Sequence, residues 1–259
     1  MRPYLPSVLK RLFKRATESP ERVWTAPAGR RLYAIGDIHG RLDLLDQLLD
    51  TIDADDATRG PAETSLIMLG DLPDRGPESR GVIERLKSLQ SGSDNIVFLM
   101  GNHEELLIRA WEGDRNIAAT FNKAGGRATM LSYGVSEADY DGWNLDELIE
   151  KVADYVPADH IAFLRSFQEI YRAGDYLFVH AGIMPGVAIE DQAPEDLRWI
   201  RRTFIESQAD HGVMVIHGHT ITAAVDEQPN RIGIDTGAFA TGILSAIGIE
   251  GSERWFLST

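Results

Sequence analysis

The stretch RLYAIGDIHG (31–40) decides the fold, because an apolar run ends there at a glycine followed by potential metal ligands. Two further runs, TSLIMLGD (64–71) and NIVFLMGN (95–102), repeat this arrangement. Helical spacing of apolar residues lies between or after the runs, in segments 42–52, 78–90 and 103–112. Strands that alternate with helices predict right-handed crossovers and a largely parallel sheet. Polar residues just past such strands form the ligand-binding edge.

The second half of the chain contains further apolar runs that are typical of strands. They are 175–180, 213–219, 231–235, 243–250 and 253–257, with a helix expected near 195–206. The last three strands are close in sequence, and we expect them to pair as antiparallel hairpins. The simplest architecture is an α/β domain at 30–259, in which two mixed sheets are flanked by helices.

Composition limits the functions that this chain can have. It has 259 residues, a formal net charge of −14 and no cysteine. The absence of cysteine excludes disulfides, thiolate catalysis and cysteine-bound metals, so a metal must be held by His, Asp, Glu or Asn. A strongly acidic chain is a poor match for nucleic acid, so we expect no nucleic-acid partner. Its longest apolar runs are too short to cross a bilayer.

The first 29 residues form a candidate basic, amphipathic N-terminal appendage. Seven Lys and Arg against two Glu give residues 1–30 a net charge of +5, which leaves −19 on the remaining chain. Apolar residues recur there at helical spacing, but the apolar core and cleavage site of a signal peptide are missing. This segment is expected to pack on the body or fray, with weak peripheral contact with a membrane surface or binding of a partner as the alternative. We expect a cytoplasmic protein without stable membrane insertion.

Five short motifs at predicted strand ends carry the candidate chemistry. They are GDIHG (36–40), GDLPDRG (70–76), GNHE (101–104), HAG (180–182) and HGHT (217–220). Each motif alone is weak evidence, since a polar residue beside glycine is common in turns. Their joint occurrence after apolar strands indicates a functional site.

The ligand types in these motifs suit two adjacent divalent cations. The first cation would be held by the carboxylate of Asp37 and the imidazole of His39. The second would be held by the amide of Asn102 and the imidazoles of His180 and His219. The carboxylate of Asp71 would bridge the two cations. Asp37 and His39 are two apart and would share one face of a strand. Mixed nitrogen and oxygen ligation favours Mn²⁺, with Fe or Zn as alternatives, over Ca or Mg.

Two adjacent divalent cations can generate a hydroxide near neutral pH and hold the oxygens of a phosphoryl group. Three further polar residues would complete a site for phosphoryl transfer. His103 follows a proposed ligand and is expected to act as general acid on the leaving oxygen. Asp74 is expected to orient His103 and keep it protonated. Arg75 is expected to bind phosphate oxygens, although a loop ion pair with Glu78 or Asp74 is the alternative.

Together the five motifs resemble those of the calcineurin-like metallophosphoesterases, in particular the bacterial and phage form of the phosphoprotein phosphatases. The resemblance covers about residues 30–250. It implies a four-layer αββα sandwich, a dinuclear metal centre and hydrolysis of phosphomonoesters by direct attack of a metal-bound hydroxide. It also implies the roles given above, namely the metal ligands, His103 as general acid, Asp74 as its orienting partner and Arg75 as the phosphate-binding residue. Arg201 resembles a second phosphate-binding arginine, with an exposed helical cation as the alternative.

Three functions remain open from the sequence. The first is a serine/threonine protein phosphatase with broad activity on small phosphate esters. Its weak point is Leu72–Pro73, where eukaryotic members have an aromatic-Val pair, which puts narrow phosphoprotein specificity in doubt. The second is a dinucleoside tetraphosphatase, although that group usually has Gln, Asn and Asp at His39, Asp74 and Glu104. The third is a catalytically inactive binding module on the same fold.

Other polar residues are assigned simpler roles. His160 is expected to be exposed, and the acidic cluster Asp53, Asp55 and Asp56 is expected to form a solvated loop. His217 and Asp235 are candidate partners of metal-bound imidazoles, with ordinary strand-end hydrogen bonding as the alternative.

Overall fold

A computed structural model describes residues 22–259, which form two five-stranded mixed sheets. The strands are β1 (Arg30–Ile35), β2 (Glu63–Met68), β3 (Ile96–Phe98), β4 (Ile170–Ala173), β5 (Tyr176–Val179), β6 (Met214–His217), β7 (Asp226–Glu227), β8 (Arg231–Gly233), β9 (Ser245–Glu250) and β10 (Glu253–Ser258). Their order is β10-β9-β1-β2-β3 in the first sheet and β4-β5-β6-β8-β7 in the second. In each sheet three neighbouring strands are parallel, namely β1, β2 and β3, and β5, β6 and β8.

Most helices lie between β1 and β4. The helices are α1 (Leu42–Thr58), α2 (Ser79–Gln90), α3 (Asn102–Trp111), α4 (Arg115–Phe121), α5 (Arg127–Ser132), α6 (Glu137–Gly142), α7 (Leu145–Tyr155), α8 (Ala158–Arg165), α9 (Pro194–Trp199), α10 (Arg202–Ile205) and α11 (Ala238–Thr241). A π-helical turn, Asn122–Gly126, connects α4 to α5. Helices α1 and α2 are the crossovers that join the parallel strands of the first sheet, as the sequence predicts.

The core is divided into three apolar clusters, which separate four layers. Alternate residues of β1 face opposite sides, as strand geometry requires. Tyr33 packs against the helices of the first sheet, whereas Leu32 packs between the sheets. The outer face of the second sheet, with Leu177, packs against α9 and α10. This arrangement confirms the predicted α/β fold with helices outside two sheets.

The pairing of the last strands differs from the prediction. β9 and β10 form the expected hairpin, but β8 pairs parallel to β6 in the other sheet. The connection between β8 and β9 contains α11, which lies between Gly237 and Gly242, both with positive φ. Two left-handed residues turn the chain away from β8, so the short link crosses from one sheet to the other instead of forming a hairpin.

The predicted acidic loop is wrong, because α1 continues through it to Thr58. Of the three aspartates, Asp53 is exposed, and the other two are half-buried. Asp55 accepts hydrogen bonds from the Tyr33 hydroxyl (2.5 Å) and Trp255 Nε1 (2.9 Å). Asp56 pairs with the buried guanidinium of Arg31 at 2.7 Å. The last turn of α1 thus satisfies donors of the sheet, which helical periodicity alone did not reveal.

His160 and the N-terminal segment are the other places where the prediction and the structure are compared. His160 is not exposed: it lies buried in α8, and its Nδ1 is 2.8 Å from the Tyr133 hydroxyl. Residues 1–21 of the predicted appendage lie outside the described residues, whereas Trp24 and Ala26 are buried in the cluster between the sheets. In the described chain, from residue 22 to the end, no helix is long and apolar enough to span a membrane.

We predict that Asp55→Ala lowers the free energy of unfolding by about 1–3 kcal/mol, because it leaves the buried Tyr33 hydroxyl and the half-buried Trp255 indole N–H without an acceptor and removes the ion pair with Arg59. Urea denaturation measures the change. The matched control is Asp53→Ala, two residues earlier on the exposed face of α1, which should shift stability by less than about 0.5 kcal/mol. Equal effects of the two substitutions would contradict the role of Asp55.

Candidate metal centre

The predicted ligands converge where the parallel strands of both sheets end. From the first sheet, Asp37 and His39 follow β1, Asp71 follows β2, and Asn102 begins α3 after β3. From the second sheet, His180 follows β5 and His219 follows β6. All six of these side chains are buried. The site therefore depends on the packing of one sheet against the other.

The loops of the site contain an unusual backbone conformation. Between residue 22 and the C-terminus, five non-glycine residues have positive φ, and all belong to the predicted site: His39 (46°), Asp71 (52°), Asp74 (73°), Arg75 (70°) and His219 (62°). Left-handed backbone is unfavourable for these residue types and tends to occur at functional sites. The prediction that Asp37 and His39 share one face of a strand is wrong, because both residues lie beyond Ile35, the last residue of β1.

Asp71 lies at the centre of the site. One of its carboxylate oxygens is 3.5 Å from His39 Nε2, and the other is 3.3 Å from His180 Nε2. Two groups could each hold a metal ion, namely His39, Asp71 and His103, and Asp71, His180 and His219. Asp71 is common to both groups, as expected for a bridging carboxylate.

The hydrogen bonds of the imidazoles show that lone pairs point into the site. His39 Nδ1 is 2.9 Å from the Pro73 carbonyl, and His180 Nδ1 is 2.8 Å from the Leu69 carbonyl. Each Nδ1 must carry a hydrogen to make these bonds, so each neutral ring has its lone pair at Nε2. Burial lowers the pKa of His39 to about 3 and also lowers that of His180, which keeps both rings neutral.

The lone pair of His180 faces other polar atoms. His180 Nε2 lies 3.0 Å from Asn102 Oδ1 and 3.2 Å from His219 Nδ1. An amide oxygen, a carboxylate oxygen and imidazole nitrogens converge here, and a hydrogen on His219 Nδ1 could satisfy only one of these contacts. Among residues 22–259, His219 Nε2 is also buried without a hydrogen-bond partner. Such a donor set fits a divalent cation of the first transition series.

Asp37 is oriented differently from the other predicted ligands. Both carboxylate oxygens accept from the His219 backbone N–H, at 3.1 and 3.0 Å. Burial and the nearby charges of Asp235 and Asp71 raise the pKa of Asp37 well above its ordinary value. A Cβ at Gly218 would lie 2.1 Å from Asp37 Oδ1, so only glycine permits this approach. A cation bound at the Asp37 carboxylate would relieve its repulsion by Asp235 and Asp71.

His103 and Asp74 are in direct contact, as the sequence predicts. His103 Nδ1 is 2.6 Å from Asp74 Oδ2, and both side chains are buried. Burial lowers the pKa of His103, but the charge of Asp71 and the hydrogen bond that His103 donates to Asp74 outweigh it, so the pKa is raised. His103 also belongs to one of the possible metal groups, a position that the sequence analysis did not anticipate.

Arg75 contacts the imidazoles instead of Glu78 or Asp74. Its guanidinium lies 2.9 Å from His39 Nε2 and 3.0 Å from His103 Nε2, and it rests 4.8 Å from the ring centroid of Phe239. Because arginine can only donate, His103 Nε2 accepts in this arrangement. A proton can occupy that nitrogen only when the guanidinium moves away.

The remaining candidates lie at the edge of the site. Arg201 is exposed and occupies a break between α9 and α10, so the predicted continuous helix 195–206 is wrong. The guanidinium of Arg201 donates to the His219 carbonyl at 3.3 Å. Asp235 faces Asp37, and His217 contacts Gly218 and Arg231. Neither Asp235 nor His217 orients an imidazole that lies in the metal groups.

Glu104 is a site residue whose role the sequence analysis missed. Its carboxylate accepts the backbone N–H groups of Asp71 (2.8 Å), Leu72 (2.7 Å) and Gly101 (2.9 Å). Burial and the charge of Asp71 raise the pKa of Glu104 to about 7. The signal was present, because Glu104 is the third residue of α3, where a glutamate side chain can reach back to the backbone N–H of the residue before the helix.

Comparison with known proteins agrees with this geometry. A sequence model of the calcineurin-like phosphoesterases matches residues 30–237. The chain belongs to the calcineurin-like phosphoesterase family. A relative from Paracidovorax citrulli, named bis(5'-nucleosyl)-tetraphosphatase, symmetrical, is 27% identical over 83% of this chain and 91% of its own length. One of the same name from Acidovorax sp. strain JS42 is 31% identical, but the match covers 62% of this chain and 47% of the relative.

Solved structures of phosphoesterases and phosphatases share the fold. A structure provisionally named diadenosine tetraphosphatase superimposes with a TM-score of 0.62 and 20% identity, over 90% of this chain and 95% of the other. A cold-active protein tyrosine phosphatase gives a TM-score of 0.59 and 18% identity, over 93% and 84%. At these identities the likeness concerns the calcineurin-like fold alone.

We predict that Glu104→Gln destabilises this phosphoesterase by about 1–3 kcal/mol, because an amide cannot accept three backbone hydrogens and leaves a buried N–H unsatisfied. The measurement is urea denaturation of the metal-free protein. The exposed Glu112→Gln at the end of the same helix serves as the control, with an expected change under about 0.5 kcal/mol. Unchanged stability of Glu104→Gln would show that the carboxylate does not support the loop.

Proposed function

We propose that this phosphoesterase is a two-metal phosphohydrolase that splits the phosphoanhydride chain of dinucleoside tetraphosphates. The observation that carries the substrate class is the Paracidovorax citrulli relative, which matches over most of both chains and is named a symmetrical bis(5'-nucleosyl)-tetraphosphatase. This is the second of the three functions drawn from the sequence. The comparisons favour it over the serine/threonine phosphatase that the motifs suggested first.

The proposed ligand set is unchanged from the sequence. We assign Asp37, His39 and Asp71 to the first cation. The second cation would use Asp71 again, together with Asn102, His180 and His219. Mn²⁺ is the proposed ion, because the site mixes imidazole with carboxylate and amide oxygen. When bound, such a pair supplies a water-derived nucleophile at neutral pH and neutralises charge on the phosphoryl oxygens.

The chain's own residues would then act on the substrate. Arg75 is the strongest candidate for a phosphate clamp, since its guanidinium now lies on two imidazoles and an anionic phosphoryl group is a better partner. Its movement would leave His103 Nε2 able to hold a proton for the leaving oxygen, while Asp74 retains Nδ1. Arg201, exposed beside His219, is positioned to contact a neighbouring phosphate of an extended chain.

A phosphomonoesterase acting on phosphoserine and phosphothreonine proteins or small esters is the second candidate. It is favoured by the buried His103–Asp74 pair, because an alkoxide leaving group needs a proton far more than a nucleotide phosphate does. The chain also has His39, Asp74 and Glu104 at the three positions where the tetraphosphatase pattern usually differs. All three side chains make specific contacts in the site.

Rates on three substrates with added Mn²⁺ test these proposals. We expect diadenosine tetraphosphate to give the highest kcat/KM, with two molecules of ADP as the products of symmetric cleavage. A higher kcat/KM on a phosphoserine peptide would support the second candidate instead. Turnover of neither compound, nor of p-nitrophenyl phosphate, would leave the inactive binding module as the correct interpretation.

We predict that His103→Asn lowers kcat by about 10²–10⁴, the usual contribution of a positioned general acid, while the metal content stays near that of the wild type. The loss should be larger for phenyl phosphate than for dinitrophenyl phosphate, whose leaving group needs little protonation. His211→Asn, at a half-buried histidine outside the site, is the control. An equal loss on both esters would count against His103 as the acid.

A further inference from the structure

Thr129 lies buried beneath the loop that carries Asp74, although the two residues are 55 positions apart in the chain. Its hydroxyl is 2.5 Å from Asp74 Oδ1 and 3.0 Å from the Asp74 backbone nitrogen. Ser79 Oγ is 2.9 Å from the same backbone nitrogen and 3.0 Å from Thr129 Oγ1. Thr129, Ser79 and Asp74 are all completely buried.

The number of hydrogens available sets the direction of these bonds. A hydroxyl has one hydrogen, and the shortest contact of Thr129 is to a carboxylate oxygen that can only accept. Thr129 therefore donates to Asp74 Oδ1, and Ser79 donates to Thr129. The Asp74 N–H donates to Ser79, which closes a ring of hydrogen bonds on Asp74. Bonds that run in one direction around such a ring strengthen one another.

This ring of hydrogen bonds determines which carboxylate oxygen of Asp74 contacts His103. Oδ1 is occupied by Thr129, so Oδ2 is the oxygen that accepts from His103 Nδ1 at 2.6 Å. The ring also satisfies the N–H of a residue whose φ of 73° is intrinsically unfavourable. Rotation of the Asp74 side chain would break the bond to Thr129 and the bond to His103 together.

The turn before α5 brings Thr129 into place. The Gly125 carbonyl accepts from the Arg75 N–H at 3.3 Å. A Cβ on Gly125 would lie 2.7 Å from the Arg75 nitrogen, and its φ of 119° also requires glycine. The helical segment between β3 and β4 therefore contacts two consecutive residues of the β2 loop, Asp74 through a side chain and Arg75 through the backbone.

We propose that Thr129 is a positioning residue for phosphoryl transfer, which holds Asp74 in the single orientation that aligns His103 with the leaving oxygen. This inference rests on the acid role of His103 in the proposed function. A hydroxyl that merely fills a buried polar position would affect stability alone. Loss of a positioning hydroxyl lowers kcat most on substrates whose leaving group needs a proton.

The test compares Thr129→Val, which keeps the shape and removes the hydroxyl, with Thr129→Ser, which keeps the hydroxyl. The control is Ser132→Ala on the same helix, whose hydroxyl bonds the Thr129 carbonyl and not Asp74. We expect Thr129→Val to lower kcat on phenyl phosphate about 10- to 100-fold with KM nearly unchanged, the usual loss when an orienting hydrogen bond is removed. The loss on dinitrophenyl phosphate should be small, and Thr129→Ser should recover most of the rate.

An NMR measurement separates this inference from the proposed function. In the metal-free protein, the His103 Nδ1 hydrogen lies in a short bond to a carboxylate and should give a downfield proton signal that is absent in His103→Asn. We expect Thr129→Val to shift or broaden this signal and Ser132→Ala to leave it unchanged. If the wild type hydrolyses no phosphate compound, the proposed function fails, and the NMR signal still decides whether Thr129 orients the pair.

Three results would overturn the positioning role. They are equal losses of kcat on the two esters, a Thr129→Ser rate no better than that of Thr129→Val, and an unchanged His103 signal in Thr129→Val. Thermal unfolding of each variant shows whether the protein remains folded at the assay temperature.

Discussion

The buried carboxylate of Asp71 is the constraint on which the site depends. A carboxylate withdrawn from water is costly unless it is paired or hydrogen-bonded. Its immediate neighbours include the neutral imidazoles of His39 and His180, which approach it with Nε2, and the His103 backbone N–H donates to it at 2.9 Å. A divalent cation on each side would compensate both the carboxylate and the converging lone pairs. The surrounding loops are organised to keep Asp71 in that position.

Several features of the fold serve this one side chain. Glu104 accepts the backbone N–H of Asp71, and a Cβ on Gly101 would lie 2.3 Å from Asp71 Oδ1. His39 donates its own N–H to the Asp71 carbonyl at 2.9 Å, which ties the β1 loop to the β2 loop. His180 comes from the other sheet. The apolar cluster between the sheets is therefore what brings the two halves of the ligand set into contact.

Much of the site was visible in the sequence because its residues follow apolar strands directly. The motifs containing Asp71 and Asn102 end at the same edge of the first sheet once the strands are parallel, and this follows from periodicity and strand-end chemistry. That His180 meets them from the second sheet depends on the packing of the two sheets. The β8 pairing could not be predicted in this way, because two left-handed glycines redirect the chain. The role of Thr129 was also hidden, since it acts through loop contacts distant in sequence, whereas the position of Glu104 after Gly101 did leave a local signal. The break in the helix at Arg201 left no periodic signal.

If the Asp71 carboxylate joins two cation sites, calorimetric titration of the metal-free protein with Mn²⁺ should show two ions bound per chain in the wild type. Asp71→Asn should weaken both binding steps by roughly tenfold or more, since the loss of even an indirect partner of a ligand costs that much. The exposed Asp53→Asn should bind two ions as the wild type does. A wild type that binds a single ion, or an Asp71→Asn variant that loses only one of two sites, would show that Asp71 does not bridge two cations.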